Sequence, residues 1–106
     1  MLLINMEFAP DKKIVQHLGL VQGSVVQAKH VGRDIMASLK NIVGGELKGY
    51  TELMNEAREA ATGRMCEQAE QLGANAILNI RFATSTVTAS ASEILVYGSA
   101  VILEDR

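Results

Sequence analysis

The sequence contains few of the residues on which common binding and catalytic chemistries depend. Its 106 residues include one cysteine, one proline, no tryptophan, two tyrosines and two phenylalanines. A single cysteine excludes both an intrachain disulfide and a four-thiolate zinc site. The aromatic residues are too few for a platform that stacks nucleic acid bases. A formal net charge of -2, with no long run of one sign, gives no electrostatic indication of nucleic acid binding either.

Long apolar segments are also missing. No uncharged apolar run approaches the roughly 20 residues of a membrane span, and the first residues lack the basic region and apolar core of a signal peptide. We therefore expect a cytoplasmic protein, with residues 1–106 forming a single domain around one modest core. Charged residues make up 21% of the chain and apolar residues 48%. Because this is little charge for a small monomer that must cover its own surface, we expect a homo-oligomer.

The strongest pattern that is present predicts a long amphipathic helix over residues 51–72. Thr51 is placed to cap its start, and Gly73 is placed to end it in the left-handed conformation. Because the apolar face is mostly alanine, a sheet or a second subunit can approach this helix closely. The residues of that face recur at steps of three and four: Leu53, Ala57, Ala60, Ala61, Met65, Ala69 and Leu72.

Two strands and a shorter helix are predicted before the long helix. Residues 13–16 form a short strand and residues 18–29 a longer one, in which Gly19 and Gly23 mark a bulge or a close backbone approach. Residues 33–43 have apolar side chains at helical spacing and precede a pair of glycines.

Two more strands are predicted after the long helix. Residues 75–82 alternate as a half-buried strand, and residues 93–104 are apolar on both faces, which is typical of a central strand. The uncharged residues 83–92 between them form either a mobile hairpin tip or strand ends that fit against a neighbour. The first strand directs one set of side chains to a single face: Ala76, Leu78, Ile80 and Phe82.

These elements follow the order β-β-α-α-β-β. The order predicts an α+β fold in which two helices pack on one face of a mixed sheet. The other face of the sheet then has no cover within one chain, which is a second reason to expect an oligomer.

A series of motifs extends from about residue 14 to residue 103. In chain order the motifs are Leu18-Gly19-Leu20-Val21-Gln22-Gly23, Arg33-Asp34, Val43-Gly44-Gly45, Tyr50, Ala57-Arg58, Met65, Leu72-Gly73-Ala74-Asn75-Ala76 and Gly98-Ser99-Ala100-Val101. Together they resemble the YbjQ-like family, which is also called the "putative heavy-metal-binding" domain family. The resemblance implies a small bacterial or archaeal α+β domain that assembles as a ring-like homopentamer, with short extra strands helping the subunits to join. Many relatives open with a threonine-rich strand, whereas this chain opens with Leu2-Leu3-Ile4-Asn5-Met6-Glu7.

The description of that family as metal-binding does not identify a defined set of metal ligands in this sequence. Soft metals bind thiolate, thioether and imidazole groups, and the donors here are Cys66, His17, His30 and five methionines. Cys66 has no second cysteine at ligand spacing, so a small, partly buried helix residue is the simpler interpretation. His30 and Asp34 could share an ion across a strand-to-helix turn, although a cap or loop role is simpler. A heavy-metal ion stays a candidate cofactor, because a ring could build a site from one donor per subunit.

Four residues offer a different site, for a small anion: Arg33, Asp34, Tyr50 and Arg58. Asp34 suits the first turn of a helix, and the two arginines could form ion pairs within the subunit or across an interface. Alternatively, the planar guanidinium groups could bind a carboxylate or phosphate beside Tyr50.

Catalytic patterns are not evident. The loop of residues 44–49 follows a helix and lacks the Gly-Lys-Ser/Thr ending of a phosphate-binding loop. Ser24, Ser38 and Ser99 have no nucleophile-elbow setting. We therefore expect a non-enzymatic, homo-oligomeric binding or scaffold protein. The alternative is a small-anion binder or enzyme with its site at a subunit boundary, and a ring that only docks other proteins is a third reading.

Overall fold

The computed structural model describes residues 1–28, 48–88 and 91–106, with the backbone alone at residues 28 and 48–50. The elements are β1 (Leu2–Leu3), β2 (Lys12–Ala28), α1 (Lys48–Gln71), β3 (Ala76–Thr88) and β4 (Ala91–Asp105). The sheet order is β1-β3-β4-β2, with β1 parallel to β3 and the other neighbours antiparallel. The fold is therefore α+β, with one described helix on a mixed four-stranded sheet. The helix predicted over residues 33–43 lies outside the described residues.

Helix α1 confirms the predicted long helix but not its predicted first residue. It begins at Lys48, so Thr51 lies within its first turn rather than at its N-cap position. A residue that can cap a helix permits a helix to start there but does not require it. The end is as predicted. Gly73 has a φ of 84°, its N–H donates to the Glu70 carbonyl at 3.0 Å, and the Ala74 N–H donates to the Ala69 carbonyl at 3.1 Å. These two bonds satisfy carbonyls that the end of a helix otherwise leaves open. No helix in the described part of the chain is long and apolar enough to cross a membrane.

The alanine face of α1 packs closely on the sheet. Ala57, Ala61, Met65 and Ala69 are buried against β2 and β4. A Cβ atom at Gly23 would lie 2.0 Å from the Ala61 carbonyl oxygen, so only glycine allows this approach. The prediction was wrong for Ala60 and Leu72, which are exposed. The contact follows a narrow line of residues four apart, and a residue one step off that line faces solvent.

The N-terminal part of the sheet contains one long strand rather than two. β2 continues from Lys12 to Ala28, and its pairing with β4 shifts between Ile14 and Gln16 and again between His17 and Gly19. Gly19 has a φ of 113°, as its predicted place at a bulge requires. The apparent break at His17 is thus a bulge, which bends a strand without ending it.

Strand β3 also contains a bulge, which changes the predicted faces. Its register with β4 shifts between Leu78 and Arg81, and Asn79 has a φ of 55°. The extra residue moves Ile80 to the helix side, where it packs with the core that contains Ile77. The prediction that Ile80 shares a face with Leu78 was wrong, because a bulge reverses the alternation beyond it.

The beginning of β3 is buried on both faces rather than on one. Ile77 lies under the helix, while Ala76 and Leu78 belong to a second core on the opposite face, which Ala9 and Ile4 cover. Central strand β4 is covered on both faces at the same end of the sheet, as predicted. Residues 83–88 and 91–92 belong to β3 and β4, so that part of the uncharged segment is strand. Its fit against a neighbouring chain stays a prediction.

Candidate binding surfaces

The proposed anion site is only partly visible in the described residues. Arg58 is exposed on α1, where its Nη2 donates to Asn55 Oδ1 at 2.5 Å and its carbonyl accepts from Thr62 Oγ1 at 2.7 Å. Tyr50 lies eight residues earlier in the same helix, about 12 Å along its axis. Arg33 and Asp34 lie outside the described residues. Among the side chains that the structure does describe, Arg58 contacts no carboxylate.

Cys66 lies on α1, partly buried beside the core. Burial and then the Glu70 carboxylate raise the pKa of its thiol above the ordinary value, with a smaller opposing effect from the N-terminal amino group. A thiol with a raised pKa is a poorer metal ligand, because the thiolate is the binding form. No group of three or more His, Cys, Asp or Glu side chains converges within residues 1–28, 48–88 and 91–106. The described His, Cys, Asp and Glu side chains of a single chain therefore do not form a metal-binding cluster by themselves.

A shallow groove of about 390 Å³ lies between the N-terminal segment, α1 and β3. Phe82 is 51% exposed at its rim, and Arg81 Nη1 donates to the Asn5 carbonyl at 2.9 Å beside it. None of the described residues that line the groove is charged, and the groove is open to solvent, so these residues do not form an anion site. Its lining consists of Leu3, Ile4, Asn5, Thr62, Ile80 and Phe82.

A second exposed surface lies on the sheet face opposite α1, away from the second core. Paired residues share a face of the sheet, and Gly23, Val96 and their neighbours at every second position face the helix. The intervening residues therefore face away, and Leu20 is 68% and Val26 57% exposed there. We call this surface the open sheet face: Leu20, Val26, Ala83, Leu95 and Tyr97.

Three side chains have structural roles that the sequence did not reveal. Gln68 Oε1 accepts from the Gln22 N–H at 2.8 Å, and Arg64 Nη1 donates to the Ser24 carbonyl. Both had the pattern of solvated helix residues, and only the position of α1 over β2 gives them partners. Asn75 bonds both backbone groups of Leu103, donating to its carbonyl at 2.9 Å and accepting from its N–H at 2.8 Å. An asparagine two residues after the helix-ending Gly73 was the only available signal.

The geometry defines a class of protein: an α+β chain with one described helix pressed on a mixed sheet and an open apolar sheet face. A family model described as "Putative heavy-metal-binding" matches residues 1–104, and the chain belongs to this YbjQ family. This membership confirms the resemblance seen in the sequence motifs.

Relatives in several organisms match nearly the whole chain. A UPF0145 protein of Hahella chejuensis is 62% identical over 104 residues, covering 98% of this chain and 100% of the relative. A UPF0145 protein of Clostridioides difficile is 54% identical over 105 residues, covering 99% of this chain and 94% of the relative. Neither name states an activity.

The fold is also found among solved structures. The crystal structure of a protein of unknown function from Pediococcus pentosaceus, of the DUF74 family, matches with a TM-score of 0.66 over 98% of each chain. At 11% identity, this likeness supports the fold alone.

Proposed function

We propose that this protein is a non-enzymatic subunit of a homo-oligomer that acts as a binding or scaffold assembly. The open sheet face is the observation that carries the proposal. Monomers rarely leave a contiguous apolar surface uncovered, because burying apolar area is favourable by about 25 cal/mol per Å². Here Leu95 pairs directly with Ala83, and Leu20 and Val26 lie diagonally across from Tyr97 and Leu95 on the neighbouring strand. The polar residues Gln22, Ser24, Arg81 and Glu93 share this face.

The dimensions of the chain support the same proposal. Its radius of gyration is 17.0 Å, whereas a compact domain of about 100 residues has a radius of gyration near 13 Å. β2 alone contains 17 residues, enough to extend about 56 Å. The one helix of the described residues covers only part of so long a strand, and further copies of the chain supply additional cover. Five copies is the number that the family resemblance implies.

The ligand of this assembly is not identified by the geometry. A heavy-metal ion is the candidate that the family description suggests. A site for it would need donor side chains from more than one subunit. The second candidate function is a small-anion binder or enzyme at a subunit boundary. The exposed guanidinium of Arg58, which has no carboxylate partner among the described residues, favours it. A cytoplasmic location stays a prediction.

Native mass spectrometry of untagged protein, purified without chelators, tests the proposal. We expect about five times the 11.4 kDa mass of one chain. A single-chain mass at micromolar concentration would contradict the proposed assembly. Extra mass that disappears with a chelator would identify a bound metal, and extra mass lost only in Arg58→Ala would identify an anion site.

A further inference from the structure

β2 is an edge strand of the described sheet, because β4 is the only described strand that pairs with it. An edge strand presents unpaired N–H and C=O groups, to which a strand of another molecule can add, and natural edges often carry charged residues or proline against this addition. Residues 18–28 of β2 contain neither, and they include three valines, which favour strand pairing. The middle of β2 therefore has no protection of this kind in its own sequence.

Side chains of α1 bond the backbone groups that the middle of β2 directs away from β4. The Gln22 N–H donates to Gln68 Oε1 at 2.8 Å, and Arg64 Nη1 donates to the Ser24 carbonyl. Because the direction of the backbone groups alternates along a strand, two residues that are two positions apart direct theirs to the same side. One donor and one acceptor of the edge are thus already occupied.

The spacing of Arg64 and Gln68 along α1 explains why both reach this edge. They are four residues apart, so they lie on the same flank of the helix. Each directly precedes a buried residue of the contact with the sheet, Met65 or Ala69. The close approach of the helix backbone at Gly23 brings that flank to the edge of β2, where solvated side chains become partners of the strand.

The opposite edge of the sheet has no comparable cover by the helix. Among the described residues, no side chain of α1 bonds the backbone of β3 at residues 82–86. The cover is therefore specific to β2, since α1 lies over that side of the sheet.

We propose that Arg64 and Gln68 form an edge guard, which prevents the middle of β2 from adding strands of further molecules. An incoming strand would have to displace both bonds before it could pair along this stretch. The inference goes beyond the proposed assembly and does not depend on it, because an unguarded edge adds strands to a monomer and to an oligomer alike. Addition of this kind has no defined end point and leads to cross-β aggregates.

Two double variants test the edge guard. Arg64→Ala with Gln68→Ala removes the donor and the acceptor, and alanine keeps the helix because it has the highest helix propensity. The matched control, Arg64→Lys with Gln68→Glu, keeps a long donor and an acceptor. Both variants carry one negative charge more than the formal -2 of the wild-type chain, so charge does not distinguish them.

Thioflavin T fluorescence after equal incubation is the first measurement. We expect the alanine double variant to exceed the wild-type signal at least about tenfold, because its β2 edge is open to cross-β addition. The Lys and Glu control should give the wild-type signal. An alanine double variant that stays at the wild-type signal would overturn the edge guard, and so would a control that aggregates as strongly as the alanine double variant. A wild-type protein that is a single chain would overturn the proposed oligomer instead.

Hydrogen exchange at the Gln22 amide is the second measurement, and it decides the question if the alanine double variant loses the wild-type circular dichroism spectrum. We expect the single variant Gln68→Ala to speed exchange of this amide at least about tenfold, because the N–H loses its acceptor. Gln68→Glu should leave the rate near that of the wild-type protein. Equal rates in the wild-type protein and Gln68→Ala would show that Gln68 does not cover the edge in solution, and would overturn the proposal.

Discussion

Cys66 is the residue whose chemistry bears most directly on the family's metal description. Its thiol is partly buried on α1, and desolvation followed by the Glu70 carboxylate raises its pKa. Desolvation disfavours the charged thiolate, and a carboxylate one helical turn away repels it. The native chain therefore keeps this sulfur as a neutral, weakly reactive thiol near neutral pH.

We expect alkylation of Cys66 by iodoacetamide to reach half its maximal rate at a higher pH than alkylation of a cysteine in a short peptide. Glu70→Gln should lower the pH of half-maximal alkylation only part of the way to the peptide value, because burial is the larger cause of the raised pKa. The matched control Glu67→Gln should leave the midpoint unchanged. A wild-type profile that superimposes on that of the peptide would contradict the prediction. Since the folded-state pKa is raised, the associated stabilisation is complete below the ordinary pKa and is lost as pH rises through the raised value.

At the scale of elements, the contact between α1 and β2 depends on a glycine that only the tertiary structure explains. A Cβ atom at Gly23 would lie 2.0 Å from the Ala61 carbonyl oxygen and 2.7 Å from the Met65 nitrogen. Both are backbone atoms of α1, so no side-chain rotation relieves the overlap. The helix would have to move away from the sheet, and the bonds that Arg64 and Gln68 make to β2 would be weakened with it.

We therefore expect Gly23→Ala to lower the free energy of unfolding by about 1–3 kcal/mol, the usual range for overpacking. Gly63→Ala is the matched control on the helix itself, because nothing lies within 4 Å of a Cβ atom at Gly63. It should raise the free energy of unfolding by up to about 1 kcal/mol through helix propensity. Urea titrations at one protein concentration measure both changes. A neutral Gly23→Ala would show that the close approach does not persist in solution.

At the scale of the whole molecule, the open sheet face determines whether one chain is a complete unit. Leu20 is 68% exposed on that face, and Leu72 is 46% exposed beyond the end of α1. Burial of one such leucine at an interface is favourable by about 1.5–3 kcal/mol. The same substitution by lysine at both sites therefore distinguishes a leucine that assembly buries from an exposed leucine that assembly does not bury.

We expect Leu20→Lys to raise the dissociation constant of the oligomer at least tenfold, while Leu72→Lys leaves it unchanged. Analytical ultracentrifugation across protein concentrations provides the measurement. The Tm of the wild-type protein should rise with protein concentration, because assembly stabilises only the folded chain. An unchanged dissociation constant in Leu20→Lys would show that the open sheet face lies outside the interface.

Much of the fold was predictable because its signals are local. The spacing of Ala57, Ala61, Met65 and Ala69 predicted α1, and Gly73 predicted its end, since both depend on backbone geometry within a few residues. The apolar character of both faces predicted that β4 is central. The bulge at Asn79 was not predictable, because an asparagine adopts a positive φ there only under the constraint of pairing with β4.

The candidate site was less predictable than the fold. Arg58 and Cys66 were correctly placed on α1, but a partner for either side chain depends on distances across the molecule that spacing does not encode. Sequence by itself determined the long helix, most of the strand residues and the family, because periodicity and short motifs are properties of the chain. Only the tertiary structure decided which polar side chains cover the β2 edge and which edge stays open, because those features arise from the position of α1 over one side of the sheet.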